Sequence, residues 1–246
     1  MIKLTYPTKP AELTDVVVEQ LTAEFKADKT KSVWQKDYIK SALLSMSFNK
    51  CCFCEAKIDE ESKYMEVEHF HPKSLYEDDV VIWENLLPIC KRCNTKKLNH
   101  DTKQEPMIHP AKDNPKEHLY LQNYWFYKKT ILGQTTIDSI YLNDKHRLIK
   151  KRAEIGNVII EQLHDIFDSI AHYLESPTTR NRNKIIAKLK NVLIECCPES
   201  EYSATAATVL LSNPNYQEIK QLFGKNNLWS DEFKELEKQV EFCALI

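Results

Sequence analysis

Glycine is nearly missing from this chain: Gly133, Gly156 and Gly224 are the three present among 246 residues. Their spacing excludes a G-x-x-x-x-G-K-[ST] phosphate loop anywhere, so the chain carries no Walker-type nucleotide site of its own. So few glycines also suit helices joined by short turns. Long apolar runs are absent too. Nothing reaches the roughly 18 apolar residues of a membrane span, and the N-terminal MIKLTYPTKPAELTDVV holds no apolar core of signal-peptide length. A non-secreted, cytoplasmic protein with no membrane association is therefore expected. Neither sign of charge dominates: 34 Lys and Arg face 36 Asp and Glu, a formal net charge of −2. That excludes a protein that coats nucleic acid by bulk electrostatics. A nucleic-acid enzyme of this composition needs a local basic patch instead.

Cysteine, by contrast, is plentiful, with eight residues. In a reducing compartment disulfides are disfavoured, and metal binding or burial accounts for thiols better. Cys51 and Cys54 stand in C-x-x-C spacing, and so do Cys90 and Cys93. Two such knuckles form the framework of a tetrahedral four-thiolate zinc site, because each tight turn brings two thiolates to one ion. Zinc so held keeps no open position and is structural. Zinc would pin both ends of a segment too short to bury a real core, yet the separation between the knuckles is longer than in compact zinc fingers, so something folds in between. Cys52 is out of register and is expected to pack inward. Cys196, Cys197 and Cys243 have no C-x-x-C partner and read as buried free thiols.

No internal repeat or low-complexity tract interrupts the chain. PAELTDVVVEQLTAEFKAD reads as an amphipathic helix with Leu13, Val17, Leu21 and Phe25 at four-residue steps. SVWQKDYIKSALLSMSF reads as a second helix with Ser32 as its N-cap. From Asn99 to His118 three prolines mark a loop, and LYLQNYWFYKKTILG reads as β structure. Beyond Asp144 the pattern is helical: Ile155, Ile159, Leu163, Ile166 and Ile170 make one stripe, and Ile185, Ile186, Leu189, Leu193 and Ile194 another. Shorter helices are expected over 200–212, 215–223 and 230–241. Such stripes are first of all helix-on-helix core. The expected fold is α+β, mostly α-helical. An N-terminal helical segment (1–48) precedes a compact zinc-bearing core (49–105), a loop and β extension (106–145) and a C-terminal helical region (146–246).

Between the knuckles stand Glu68, His69, His71 and Asn85, and just beyond them Asn94, Lys96 and Lys97. YMEVEHFHP reads as a short strand ending at Pro72, and CKRCNTKKLNH as a helix opening at the second knuckle. Phosphodiester hydrolysis needs this chemistry. A water must lose a proton near neutral pH, for which histidine is suited. A hard cation bound through oxygen must offset charge on the phosphate and leaving oxygen, and Glu68 and Asn94 offer a carboxylate and an amide oxygen. Basic side chains must hold the phosphate. Residues 90–103 supply Lys91, Arg92, Lys96, Lys97 and Lys103 against Asp101 alone, and Arg92, Lys96 and Lys97 are the candidates. Spacing does not choose the base: in a regular strand His69 and His71 share a face while Glu68 points away. His100, His109, His118, His146, His164 and His172 read as surface or packing residues.

VEHFHP, WENLLPIC and CKRCNTKK together resemble the HNH nuclease motif in its zinc-knuckle form. The resemblance implies a ββα-metal (His-Me) finger and an HNH endonuclease with structural Zn²⁺ and a catalytic Mg²⁺ or Mn²⁺. It implies Glu68 as a ligand of that cation, His69 as general base, Asn85 holding the base and its loop, and Asn94 completing the cation site. Two residues depart from the common pattern: glutamate replaces aspartate at 68, and asparagine replaces histidine at 94. EPMIHPAKDNPKEHL and TTIDSIYLNDKHRLIKKR extend the resemblance to the PtuB family, the HNH proteins of Septu anti-phage systems, which also accompany some retrons. That branch implies a partner, a PtuA-like ABC-type ATPase, which fits the missing Walker loop. DNA is the implied substrate, with RNA, tRNA in particular, implied by the retron relatives. The rival from another class is a non-catalytic zinc-stabilised module that binds nucleic acid or protein. The Glu68–His69 pair with Asn94 argues against it, since a binder does not need them. A standalone homing or restriction enzyme would carry a sequence-reading module, and none is visible.

Overall fold

The computed structural model describes residues 1–58 and 64–246. They form two compact units, one of Met1, Lys3–Leu119 and Tyr127–Leu142, the other of Ile2, Tyr120–Phe126 and Asn143–Ile246. The class is α+β and mostly helical, as expected.

In the first unit, helix α1 (Asp15–Ala27) opens at Thr14, whose hydroxyl accepts from the Val17 N–H; Asp15 and Lys26 lie at the ends that favour their charges. Its Leu21 and Phe25 are buried. Helix α2 (Asp37–Met46) buries Ile39, Leu43 and Met46. The expected N-cap at Ser32 is not used. The helix starts after Lys36, because the chain first turns, with the Gln35 N–H on the Ser32 carbonyl. That turn lets the Trp34 ring pack edge-on against Phe25 (5.9 Å) and His69 (4.6 Å).

Strand β1 (Met65–His69) pairs antiparallel with β2 (Leu86–Cys90), with Glu68 opposite Leu87 and His69 opposite Leu86. Leu86, Leu87 and Ile89 are fully buried and seat the hairpin. Pro88 cannot donate to a ladder, which suits a two-stranded sheet, and its carbonyl accepts from the Cys52 N–H. β2 runs directly into helix α3 (Lys91–Lys97) with Cys90 as N-cap, completing a ββα finger. The 106–145 stretch holds helices as well as β structure. A short α4 (Pro115–His118) precedes strands β3 (Leu119–Gln122) and β4 (Trp125–Lys128), and α5 (Ile131–Ile140) follows. Gly133 sits inside α5 because a Cβ there would run into the His118 carbonyl.

The second unit is built on α6 (Lys150–Glu175), α7 (Thr179–Glu195), α8 (Ser203–Ser212), α9 (Pro214–Lys225) and α10 (Asp231–Cys243). The α6 stripe Ile159, Leu163, Ile166 and Ile170 is buried. On α7, Ile185, Leu189, Val192 and Leu193 face inward, whereas Ile194, expected there, is exposed. The small residues Ser203–Ala207 make α8 buried almost all round, so neighbouring helices approach it closely. Cys196, Cys197 and Cys243 are buried and form no disulfide.

Candidate active site

The four knuckle thiols converge. All Sγ atoms of Cys51, Cys54, Cys90 and Cys93 lie within 4.8 Å of one another, and Cys54 and Cys90 are 3.7 Å apart. A tetrahedral ion with metal–sulfur bonds of ~2.3 Å puts its sulfurs ~3.8 Å apart, so this donor set fits zinc. Burial raises the Cys51 thiol, but hydrogen bonds from Cys52, Cys54, Cys90 and Cys93 prevail and bring it well below its ordinary value. A metal here would pin the start of the finger to the first turn of α3.

His69 ends β1 and is 6% exposed. Its Nε2 lies 2.9 Å from the Val80 carbonyl. A carbonyl can only accept, so Nε2 carries the proton and Nδ1 keeps its lone pair. Burial pulls the imidazole pKa down to about 3, the Lys73 charge adds to this, and the Val80 bond opposes it. The ring is therefore neutral across physiological pH. His71 is differently engaged. Thr102 donates its single hydroxyl proton to the Phe70 carbonyl (2.9 Å), so it must accept from His71 Nδ1 (2.7 Å).

Asn85 is buried, and its side chain makes three hydrogen bonds. Its Oδ1 accepts from the His71 N–H (2.7 Å), and its Nδ2 donates to the carbonyls of His71 (3.1 Å) and Asp79 (2.9 Å). It thereby staples the loop containing Val80, the residue that fixes the His69 tautomer.

A cleft of about 440 Å³ runs along this edge of the finger, lined among others by Trp34, Glu66, Glu68, His69, Lys73 and Asn94. Glu68 and His69 share it because His69 is the last strand residue and escapes strict alternation. Glu68 is buried, with Oε1 2.5 Å from the Lys97 ammonium, which also donates to the His69 carbonyl (3.1 Å). Burial raises the Glu68 carboxyl, and Lys97 opposes that. Asn94 donates from Nδ2 to Glu66 Oε2 at 2.7 Å. A carboxylate only accepts, so this contact fixes the amide flip and leaves Oδ1 for another partner. Carboxylate and amide oxygens are the donor types a hard divalent cation takes, but Glu68 is paired with Lys97 and Glu66 with the Asn94 amide, and among the described residues the one cluster close enough to share an ion is the four thiols.

The three residues expected to hold phosphate lie elsewhere. Arg92 donates to the carbonyls of Ile140 (3.0 Å) and Tyr141 (2.6 Å), capping the C-terminus of α5. Lys96 sits 5.2 Å from the Tyr141 ring centre, and Lys97 is buried beneath Glu68. None of them lines the cleft; Lys73 does. Sequence reasoning missed Trp34, Glu66, Lys73 and Thr102. Glu66 was readable, since M-E-V-E-H puts it on the strand face of Glu68. Trp34 comes from a distant turn and left no local signal.

A family model described as HNH endonuclease matches residues 51–102. Over its whole length the chain is 44% identical to Septu protein PtuB of Bacillus thuringiensis, covering 96% of that protein. The chain belongs to the PtuB family of HNH endonucleases. A second Septu protein PtuB, from Bacillus mycoides (strain KBAB4), is 26% identical over 70% of this chain and 72% of its own. Protein ea31 of Escherichia phage lambda is 27% identical over 59% of this chain and 51% of its own. No solved structure matches. Within this PtuB-family chain the HNH match spans both knuckles, the ββα finger and Thr102. Among the described residues no helix is long and apolar enough to cross a membrane.

Proposed function

We propose that this chain is the nuclease effector of a Septu-type anti-phage system, hydrolysing phosphodiester bonds and acting with a PtuA-like ABC-type ATPase. The observation that carries the catalytic part is the neutral His69, its Nε2 proton toward Val80 and its Nδ1 without a hydrogen bond among the described residues, in a cleft shared with Glu68 and Asn94. The absence of a Walker loop supports an ATPase on a separate chain.

Four thiolates hold structural Zn²⁺. Glu68 and Asn94 would hold Mg²⁺ or Mn²⁺, which would supply positive charge to offset that on the phosphate and the leaving oxygen. His69 Nδ1 takes a proton from a water as its oxygen bonds to phosphorus. The phosphorus–oxygen bond to the leaving sugar breaks, and that oxygen takes a proton from solvent, so one water is consumed per cut. Protonated His69 keeps its Nε2 bond to Val80, which stabilises the charge, and then returns the proton to solvent, which restores the base. The phosphodiester's own negative charge raises the affinity of His69 for that proton above its value in the empty cleft. Asn85 keeps the loop in place throughout.

The test is the product formed from plasmid DNA and from total RNA, with Mg²⁺ or Mn²⁺, with and without the ATPase partner. DNA cutting is expected, and His69→Ala should lower it at least ~100-fold with fold retained. Cutting of RNA alone would transfer the reading to an RNA-cleaving effector of the retron kind. Equal cutting by His69→Ala would remove His69 from the base role. No cutting, with nucleic acid still bound, would leave a zinc-stabilised binding module.

A further inference from the structure

With Arg92, Lys96 and Lys97 turned away, the cleft must draw its phosphate-binding charge from elsewhere. Among the described residues lining it, Lys73 is the one lysine or arginine. Lys73 follows Pro72, just beyond the end of β1, and is half-buried. Its ammonium stands 5.0 Å from the centre of the Trp34 ring. It has no hydrogen bond or ion pair among the described residues, although Glu66 and Glu68 line the same cleft. A ring face attracts a cation without neutralising it or using up its N–H donors. Lys73 is thus held in place with its charge and protons still available to an anion.

Trp34 lies outside the residues matched to the HNH family and is 9% exposed. It touches the His69 ring at 4.6 Å, the Phe25 ring of α1 at 5.9 Å and the Lys73 ammonium. One indole, anchored by the N-terminal helices, therefore braces both a base and a cation.

We propose that Lys73 grips the phosphate being cut and that Trp34 is the positioning residue that holds Lys73 and His69 in register. This inference rests on the nuclease reading. Lys73 has the N–H donors to bond a non-bridging phosphate oxygen, while His69 takes the proton of the attacking water.

The experiment measures kcat/KM for bis(p-nitrophenyl) phosphate and for plasmid DNA with Mn²⁺, using the zinc-loaded full chain together with its ATPase partner and ATP. Lys73→Ala should lower it by about 100-fold or more, as for loss of one preorganised electrostatic donor. Lys73→Arg should recover most of the loss. Trp34→Phe, which keeps an aromatic face, should stay within a few fold of the parent, whereas Trp34→Leu should fall about 3-fold to 10-fold. Zinc content and melting temperature report whether each variant is folded. An active parent with Lys73→Ala its equal overturns the role of Lys73 and leaves the nuclease reading standing. Equal rates for Trp34→Leu and Trp34→Phe overturn the role of Trp34. A parent that cleaves neither probe overturns both the nuclease reading and this inference.

Discussion

Replacing Asn85 by alanine should weaken the protein through three bonds that can be counted. The His71 N–H loses its acceptor, and the His71 and Asp79 carbonyls lose a shared donor. Asn85 is 2% exposed, so water cannot simply take its place. At ~1 kcal/mol net for each bond the loss should be about 3 kcal/mol, rising toward about 5 kcal/mol with the cost of polar groups left buried and unpaired. Activity should suffer as well, because the freed loop carries the Val80 carbonyl that holds the His69 proton on Nε2. Urea unfolding of the zinc-loaded protein measures the first effect, and phosphodiester cleavage well below the unfolding midpoint measures the second. Asn85→Asp separates the components, since it keeps an acceptor for His71 but turns a second oxygen toward two carbonyls. It should therefore destabilise too. A stability loss under ~1 kcal/mol for Asn85→Ala would refute the view that this side chain staples the loop.

Cys54→Ala should lower bound zinc, read by elemental analysis, and open the finger to protease, while Cys197→Ala, outside the cluster, should leave zinc content unchanged. Glu66→Ala should raise the Mn²⁺ concentration needed for half-maximal cleavage by about 10-fold or more, in line with the cost of losing a ligand's hydrogen-bond partner; binding calorimetry on the same variant should show the same weakening. His109 is buried with Nε2 3.2 Å from the Glu84 carbonyl, and burial, opposed by that bond, pulls its pKa down to about 4. An unfolded histidine sits at ~6.5. Between these values the unfolded chain binds the extra proton, so stability is full above that range and falls as the pH drops toward 4, by up to about 3 kcal/mol. His69 adds in the same direction. Urea titrations at stepped pH should show His109→Gln with a shallower acid loss than the parent.

The two thiol knuckles were plain in the sequence because C-x-x-C spacing is local and its chemistry admits few readings. The long stripes of α6 and α7 were legible for a similar reason: many residues report one period. Helix α5 was not, since Gly133 and its neighbouring threonines lower helix propensity, and Gly133 is there for a tertiary contact with His118. The features that distinguish His69 from His71 are supplied by Val80 and Thr102, far along the chain, and strand spacing cannot report them. Charge counting over residues 90–103 found a basic run but not its direction. Arg92 turns to the end of α5 and Lys97 into the core, because short helix α3 packs against the sheet on one side and α5 on another. The cleft's own lysine sits outside that run, next to Pro72, where no excess of basic residues drew notice.

Chemical rescue asks whether His69 accepts the proton. With the His69 side chain removed, as in His69→Gly, free imidazole can enter the space it vacates. Cleavage by this variant with Mg²⁺ should fall at least ~100-fold and recover in part as imidazole is added. Parent-like cleavage by His69→Gly with no imidazole present would contradict a base at this position.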